Sequence, residues 1–217
     1  MVPAFNVVRL FSAAVLAASI FAGSAVAQQT IKLPTPKMDG GMPLMEAIAK
    51  RQSTRAYADK TLSNETLSNL LWAAFGINRP ESSERTAPSW RGSKETDIYV
   101  ATAEGVRIYE PATHTLRHVM DGDIRADTGR QPYAATAPVV LIYVADRTKM
   151  AEAPEQDQTM YAHVDSAFIS QNVYLFAAAQ GLGTVVLGNV EKAELAKKMN
   201  LRGSQILTFT QPVGHPK

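Results

Sequence analysis

Cysteine is absent from the 217 residues, which excludes disulfides, thiolate metal sites and cysteine nucleophiles together. The same absence is compatible with an oxidising compartment without requiring one. Histidine is scarce: His114, His118, His163 and His215 are the only four, none in an HExxH arrangement or another tight ligand spacing. His114 and His118 stand four apart, but Pro111 and the turn residues around them argue against a metal-binding helix face. No serine lies in a GxSxG context, and a serine hydrolase with a scattered triad stays open without any pattern proposing it. Gly181, Gly183 and Gly188 do not form the dinucleotide fingerprint, because the first two close a helix where the fingerprint opens one. There is no basic block and no aromatic-basic alternation of the kind that binds nucleic acid, and the net charge of +2 comes from well-mixed signs. No apolar run reaches the roughly 20 residues that a comfortable membrane span needs.

What is there begins with an address. Leu10 to Ala22 are almost unbroken apolar or small residues, and Ala25, Val26 and Ala27 form an A-x-A cleavage pattern before Gln28. Residues 1–27 therefore read as a secretory signal peptide that sends the protein to the periplasm or out of the cell, the alternative being an uncleaved N-terminal anchor. No Arg-Arg pair precedes the apolar run, so export of an already folded, cofactor-loaded protein has no visible signal. Residues 28–41 are polar and rich in Pro and Gly, and read as a flexible arm. Residues 42–217 are enough for one domain with a real core and short for two.

Within that domain Pro43 can open a short helix with Leu44, Met45, Ile48 and Ala49 as its apolar stripe, ending near Arg51. A second helix is capped by Ser63, carries Glu65 in its first turn, repeats Leu67, Leu70, Leu71 and Ala74, and stops before Gly76. Residues 78–94 read as a long loop. Residues 97–102 and 105–110 read as a hairpin turning at Ala103 and Glu104, residues 111–116 as a further turn, and residues 122–131 as a solvated helix or loop. Val139 to Val144 form a continuous apolar run that reads as a buried strand. The longest helix is expected over 160–180, with Val164, Phe168, Gln171, Leu175 and Ala178 near one stripe and small residues elsewhere, so that it is buried centrally or in a subunit interface. A short strand at 184–187, a surface helix at 191–199 with Leu195 and Met199 inward, and a closing strand at 205–213 complete an α+β layer fold.

The chemistry sits in "RQSTRAY", residues 51–57. Arg51, Ser53 and Arg55 leave a helix end on an extended segment, where alternate side chains face the same way. Two guanidiniums and a hydroxyl at that spacing suit a phosphate with an attached polyol. Two surface arginines answering nearby acids would give the same pattern, and the segment alone leaves both open.

Four stretches in order narrow the choice. "AIAKRQSTRAYADKTLSNETLSNLLWAAFGINR", "RTAPSWRGSKETDIYVA", "HVDSAFISQNVYLFAAAQGLGTVVLG" and "ILTFTQPVGHPK" together resemble the nitroreductase family of flavin enzymes. The second stretch is most similar to the branch related to thiazoline and oxazoline oxidases. The resemblance implies a mixed sheet flanked by helices with a long central helix, in a homodimer with FMN at each of two interface sites. It implies phosphate binding by Arg51, an adjoining hydroxyl from Ser53, and Arg55 near the isoalloxazine edge. Pro88 and Ser89 would flank the cofactor from the partner subunit, and Leu187 and Gly188 would lie on the loop facing the ring, where a backbone N–H reaches N5. Gly183 would allow a close approach of that loop. Two departures from the family pattern stand out. Gly92 occupies a slot where many relatives carry a flavin-contacting Asn, with Lys94 a candidate to compensate, and Lys217 is the only basic residue besides His215 after Gly214, and so the candidate for the closing phosphate contact. Tyr57, Trp90 and His163 are candidates to line the site, with packing or surface roles as the alternative.

The implied activity is hydride transfer from NADH or NADPH through flavin N5 to a nitroaromatic, quinone or similar acceptor, with no metal and no obligatory side-chain acid or base. Reduced nicotinamide is scarce outside the cytoplasm. The alternatives are therefore an azoline or amine-type flavin oxidase or dehydrogenase that does not use NAD(P)H, and a flavin or small-ligand binding protein without turnover.

Overall fold

The computed structural model describes Met1 and residues 30–217. Apart from Met1, the N-terminal segment and its cleavage pattern lie outside the described residues. In chain order the strands are β1 (Thr30–Lys32), β2 (Ile77–Arg79), β3 (Glu84–Arg85), β4 (Thr96–Ala101), β5 (Gly105–Glu110), β6 (Thr115–Asp121), β7 (Val139–Asp146), β8 (Gly183–Thr184) and β9 (Gln205–Gly214). The helices are α1 (Leu44–Lys50), α2 (Asn64–Phe75), α3 (Tyr133–Thr136), α4 (Glu155–Ala179) and α5 (Lys192–Lys198). Seven strands form one sheet in the order β1-β6-β5-β4-β7-β9-β8, each pair antiparallel, while β2 and β3 make a separate hairpin. The parallel component is an isolated bridge between Ser53 and Thr184. This is the α+β architecture expected from the order of elements.

The apolar run at 139–144 becomes an interior strand of the sheet, between β4 and β9, with both of its faces covered. Val139, Leu141 and Tyr143 join Leu70, Leu71, Ile169 and Val173 in one core, and Val140, Ile142 and Val144 join Leu195, Met199 and Leu207 in the other. Period-two side chains buried on both sides leave no polar position to alternate with, so the strand reads as continuous. Each fully buried Leu or Ile here contributes roughly 1.5–3 kcal/mol. α2 follows its sequence closely: the Ser63 hydroxyl accepts from Thr66 N–H at 3.1 Å, Leu67, Leu70, Leu71 and Ala74 are buried, and Gly76 N–H closes the last turn on Trp72 O at 2.8 Å.

Three expectations change. The arm assigned to residues 28–41 is folded from Thr30 onward, since β1 pairs with β6, Leu33 enters the core, and the Ser68 hydroxyl of α2 donates to Pro34 O at 2.6 Å. An edge strand is held by its backbone, which polar composition conceals. The stretch read as turn at 111–116 gives way at Thr115 to β6, whose partners β1 and β5 are not apparent locally.

The third change is the stripe of the long helix. α4 begins at Glu155, and its buried face is Ala162, Asp165, Ser166, Ile169, Ser170, Val173, Tyr174 and Ala177, while Val164 and Phe168 stand 41% and 45% exposed. Polar residues can take the inner face where partners meet their side chains: Ser166 Oγ accepts from Thr208 Oγ1 at 2.8 Å, and Asp165 Oδ2 accepts from Trp90 N–H at 2.7 Å. On α1 likewise Leu44, Met45 and Ile48 are exposed and only Ala47 is buried.

β8 touches the segment after α1 with almost no clearance. A Cβ on Gly183 would lie 2.5 Å from Thr54 Cγ2 and 2.7 Å from Thr54 Cβ. Gly183→Ala must move backbone on one side, and should lower stability by about 1–3 kcal/mol. A shifted urea midpoint checks this; an unchanged midpoint would mean that the approach is not tight.

Candidate active site

The segment Arg51 to Tyr57 lies along the end of the sheet, held on both sides. Thr54 N–H donates to Thr184 O at 2.9 Å, so β8 supports it from one edge. From the other, the chain end runs antiparallel: Ala58 N–H donates to His215 O at 2.9 Å, Tyr57 bridges to Pro216, and Lys217 N–H donates to Ala56 O at 3.2 Å. The backbone of Lys217 is thereby brought to Ala56, the chain neighbour of Arg55. Tyr57 itself is buried, its hydroxyl donating to Thr54 O at 2.8 Å, and serves packing.

Tyr174 of α4 ties this segment to the loop after β8. Its hydroxyl accepts from Val186 N–H at 2.9 Å, lies 3.3 Å from Ser53 Oγ, and its ring carries the Arg51 guanidinium at 5.3 Å from the centroid. The sequence reading missed Tyr174; its only signal is a polar aromatic on the helix face that turned out to be buried. Beyond Val186 the loop is held again, Leu187 N–H donating to Thr210 O at 2.7 Å and Leu187 O accepting from Thr210 N–H at 3.1 Å. Leu187, expected among the ring-facing residues, therefore offers no free backbone group, and its side chain packs with Ala134 and Val185. It positions Gly188, which is exposed.

The arginines do not answer acids of the chain at ion-pair distance. None of the ion pairs among the described residues includes Arg51, Arg55 or Lys217. Lys94 differs: its ammonium pairs with Glu84 Oε1 at 3.0 Å, so it is already answered and does not replace the missing Asn. Gly92 has its own reason to be glycine, a φ of 71°.

Pro88 and Ser89 belong to a second segment, on the side of α4 facing β3 and β4. Pro88 is exposed, and Ser89 Oγ accepts from Lys94 N–H at 2.9 Å across a tight turn that puts Arg91 and Lys94 at φ 46° and 52°. Trp90 N–H donates to Asp165 Oδ2 at 2.7 Å, and the Trp90 ring packs 5.7 Å from that of Tyr161. Behind them Glu95 is wholly buried, accepting from Ser93 Oγ at 2.7 Å and Thr96 Oγ1 at 3.1 Å. A cavity of about 600 Å³ lined by Asp127, Arg130, Glu191 and Lys198 includes none of the expected site residues.

A scan of family models matches the nitroreductase family over residues 48–215. The chain belongs to the nitroreductase family. A protein named as a nitroreductase from Ralstonia eutropha JMP134 has a solved structure similar to this one, with 36% identity, a TM-score of 0.84 and coverage of 87% of this chain and 90% of that one. A curated relative named in the same way, from Methanocaldococcus jannaschii, is 29% identical over 195 residues, or 85% of this chain and 96% of that one. The NADPH:FMN oxidoreductase from Vibrio harveyi, solved with NAD+, shares the fold at 22% identity and a TM-score of 0.61, covering 80% of this chain and 69% of that one. Family membership places the chain among FMN-dependent oxidoreductases, in agreement with the four motif segments; the azoline-oxidase branch is not singled out by any of these matches.

Within this nitroreductase fold, Asp165 couples the second segment to pH. Burial pushes its carboxyl up to about 6, the Trp90 N–H pulls the other way, and the neighbouring Glu95 carboxyl adds to the rise. Between the ordinary 3.8 and about 6 the folded protein holds the proton more tightly than the unfolded chain, so stability falls as pH rises through that window. Asp165→Asn keeps an acceptor for Trp90 N–H and cannot ionise. It should flatten the fall in urea midpoint across the window; an unaltered slope would assign the titration to another group.

Proposed function

We propose that the protein is an exported, homodimeric flavin reductase that oxidises NADH or NADPH and passes the electrons to a nitroaromatic, quinone or similar small acceptor. The observation that carries this reading is the trio of cations Arg51, Arg55 and Lys217, gathered on two zipped segments without an acid to answer them, beside a glycine loop held by Tyr174. The Vibrio harveyi neighbour, an NADPH:FMN oxidoreductase complexed with NAD+, supports the nicotinamide assignment.

The residues fit FMN. A phosphate monoester calls for cations that are not already neutralised, and three are present. Gly188 fits the ring: its φ lies outside the left-handed region, and an added Cβ would meet only the Phe209 ring, at 3.9 and 4.0 Å. Nothing inside the chain calls for glycine there, whereas a flat ring lying against the backbone does.

When bound, FMN supplies the hydride chemistry. The chain's own work is binding, orientation and exclusion of water. Arg51, Ser53 and Lys217 hold the phosphate and adjoining polyol, Arg55 serves the polar edge of the ring, and Pro88 and Ser89 wall the site from the partner subunit. Gly188 offers a backbone donor whose strength does not depend on the protonation of a side chain. The reading of a shared site is supported by an apolar face that α1 and α4 leave outward: Leu44, Met45, Ile48, Met160, Val164 and Phe168 are all exposed. A patch of this make-up is suited to a second copy of the chain. Export rests on residues 10–27.

The form starting at Gln28 should purify yellow, release FMN on denaturation, and bleach with NADH or NADPH under anaerobic conditions. Bound FMN that stays oxidised would shift the reading to an oxidase with another reductant, and a colourless protein that cannot be reconstituted would overturn both. Arg51→Ala should weaken FMN binding about tenfold or more, measured by flavin fluorescence. Phe168→Glu should convert a dimer to monomers in sedimentation and shed FMN with it; a mutant that stays dimeric would place the interface elsewhere.

A further inference from the structure

Past Gly188 the chain doubles back. Val190 N–H donates to Gly188 O at 3.1 Å, Lys192 N–H donates to Val190 O at 2.8 Å, and α5 starts at Lys192. The Lys192 side chain comes to lie over Phe209, its Nζ 5.6 Å from the ring centroid, and Phe209 is the ring that approaches Gly188. His163 of α4 closes the other side, edge-on to Phe209 at 5.3 Å and 86°, with Nε2 at 3.3 Å from Lys192 Nζ.

The tautomer of His163 follows from its neighbours. Nδ1 lies 2.8 Å from Thr159 O, a group that only accepts, so Nδ1 carries the proton and Nε2 presents its lone pair to the ammonium. Lys192 therefore has a neutral partner and no acid: none of the ion pairs among the described residues includes it. Burial lowers its pKa, as expected for a cation with no countercharge. Lys192, His163 and Phe209 are all half-buried, and form a cluster of two rings around one unanswered positive charge, next to the glycine proposed to face the flavin.

We propose that Lys192, oriented by His163 over Phe209, is a specificity-determining residue that selects acceptors carrying an anionic group on an aromatic ring, aromatic carboxylates foremost. This rests on the flavin reading, because proximity to Gly188 is what sets the ammonium beside the reacting ring. Lys192 takes no part in electron transfer. It donates hydrogen bonds and opposite charge to the carboxylate, while Phe209 and His163 hold the ammonium in place.

The test is calorimetric titration of 4-nitrobenzoate and of uncharged 4-nitrobenzamide into the FMN-loaded protein, with the visible flavin spectrum recorded alongside. The carboxylate should bind about tenfold or more tightly than the amide and shift the flavin band. Lys192→Met keeps the stem that packs on Phe209 and should abolish the preference, raising KM for 4-nitrobenzoate relative to that for 4-nitrobenzamide, while Lys192→Arg should restore most of it. Equal affinities in the parent protein, a preference that survives Lys192→Met, or heat without a change in the flavin band would each overturn the proposal. A protein that takes up no FMN overturns the flavin reading, and the role of Lys192 with it. A yellow protein bleached by nicotinamide but without carboxylate preference overturns only the role of Lys192.

Discussion

One hydroxyl joins the two halves of the site. Tyr174 lies on the buried face of α4, accepts from Val186 N–H and meets Ser53 Oγ, so the phosphate-type segment and the glycine loop are set against the same helix. The arrangement works only because β8 can come so near to Thr54, which in turn requires that Gly183 have no Cβ. With a side chain there the two strands would separate, and Tyr174 could not reach both. Leu187, bonded twice to Thr210, then fixes where Gly188 emerges.

That placement depends on how α4 is rolled. Its inner face carries polar side chains with partners: Ser166 with Thr208 and Asp165 with Trp90 N–H, while Gln211 reaches the Ser170 carbonyl and the Tyr143 hydroxyl, the latter at 2.5 Å. Buried groups with partners contribute modestly to stability but penalise other rotations strongly, because turning the helix would leave them unsatisfied. The cost of this orientation is that Val164 and Phe168 face outward beside Leu44, Met45 and Ile48 of α1. One constraint thus orders the site and leaves an apolar surface free for a partner.

Charge placement divides the cations into two kinds. Lys94 and Arg125 are answered by Glu84 and Asp123 and help to hold loops in place. Arg51, Arg55, Lys217 and Lys192 have no such answer among the described residues, a condition they share with Lys32, Lys60, Arg85 and Lys197. Arg51 and Lys192 are half-buried without an acid, which is unfavourable, so their surroundings gain stability when an anion arrives.

Much was legible from the residues alone, namely α2 with its Ser63 cap, the hairpin of β4 and β5, the buried strand β7, the inward Leu195 and Met199 of α5, and the closing strand β9. These depend on local chemistry and periodicity, which a linear pattern carries. The candidate residues Arg51, Ser53 and Arg55 stood out as side-chain types at a spacing, whereas Gly188 was pointed to only by the family resemblance. Tertiary structure alone decided which face of α4 is inside, because polar residues become inner residues only once Thr208 and the Trp90 N–H are there to meet them. It also decided that Leu33 belongs to the core, that Leu187 is bonded twice to Thr210, and that the backbone of Lys217 comes to rest against Ala56. In each case the deciding partner lies far away in the chain, and the energy of a contact does not exist until the fold brings both sides together.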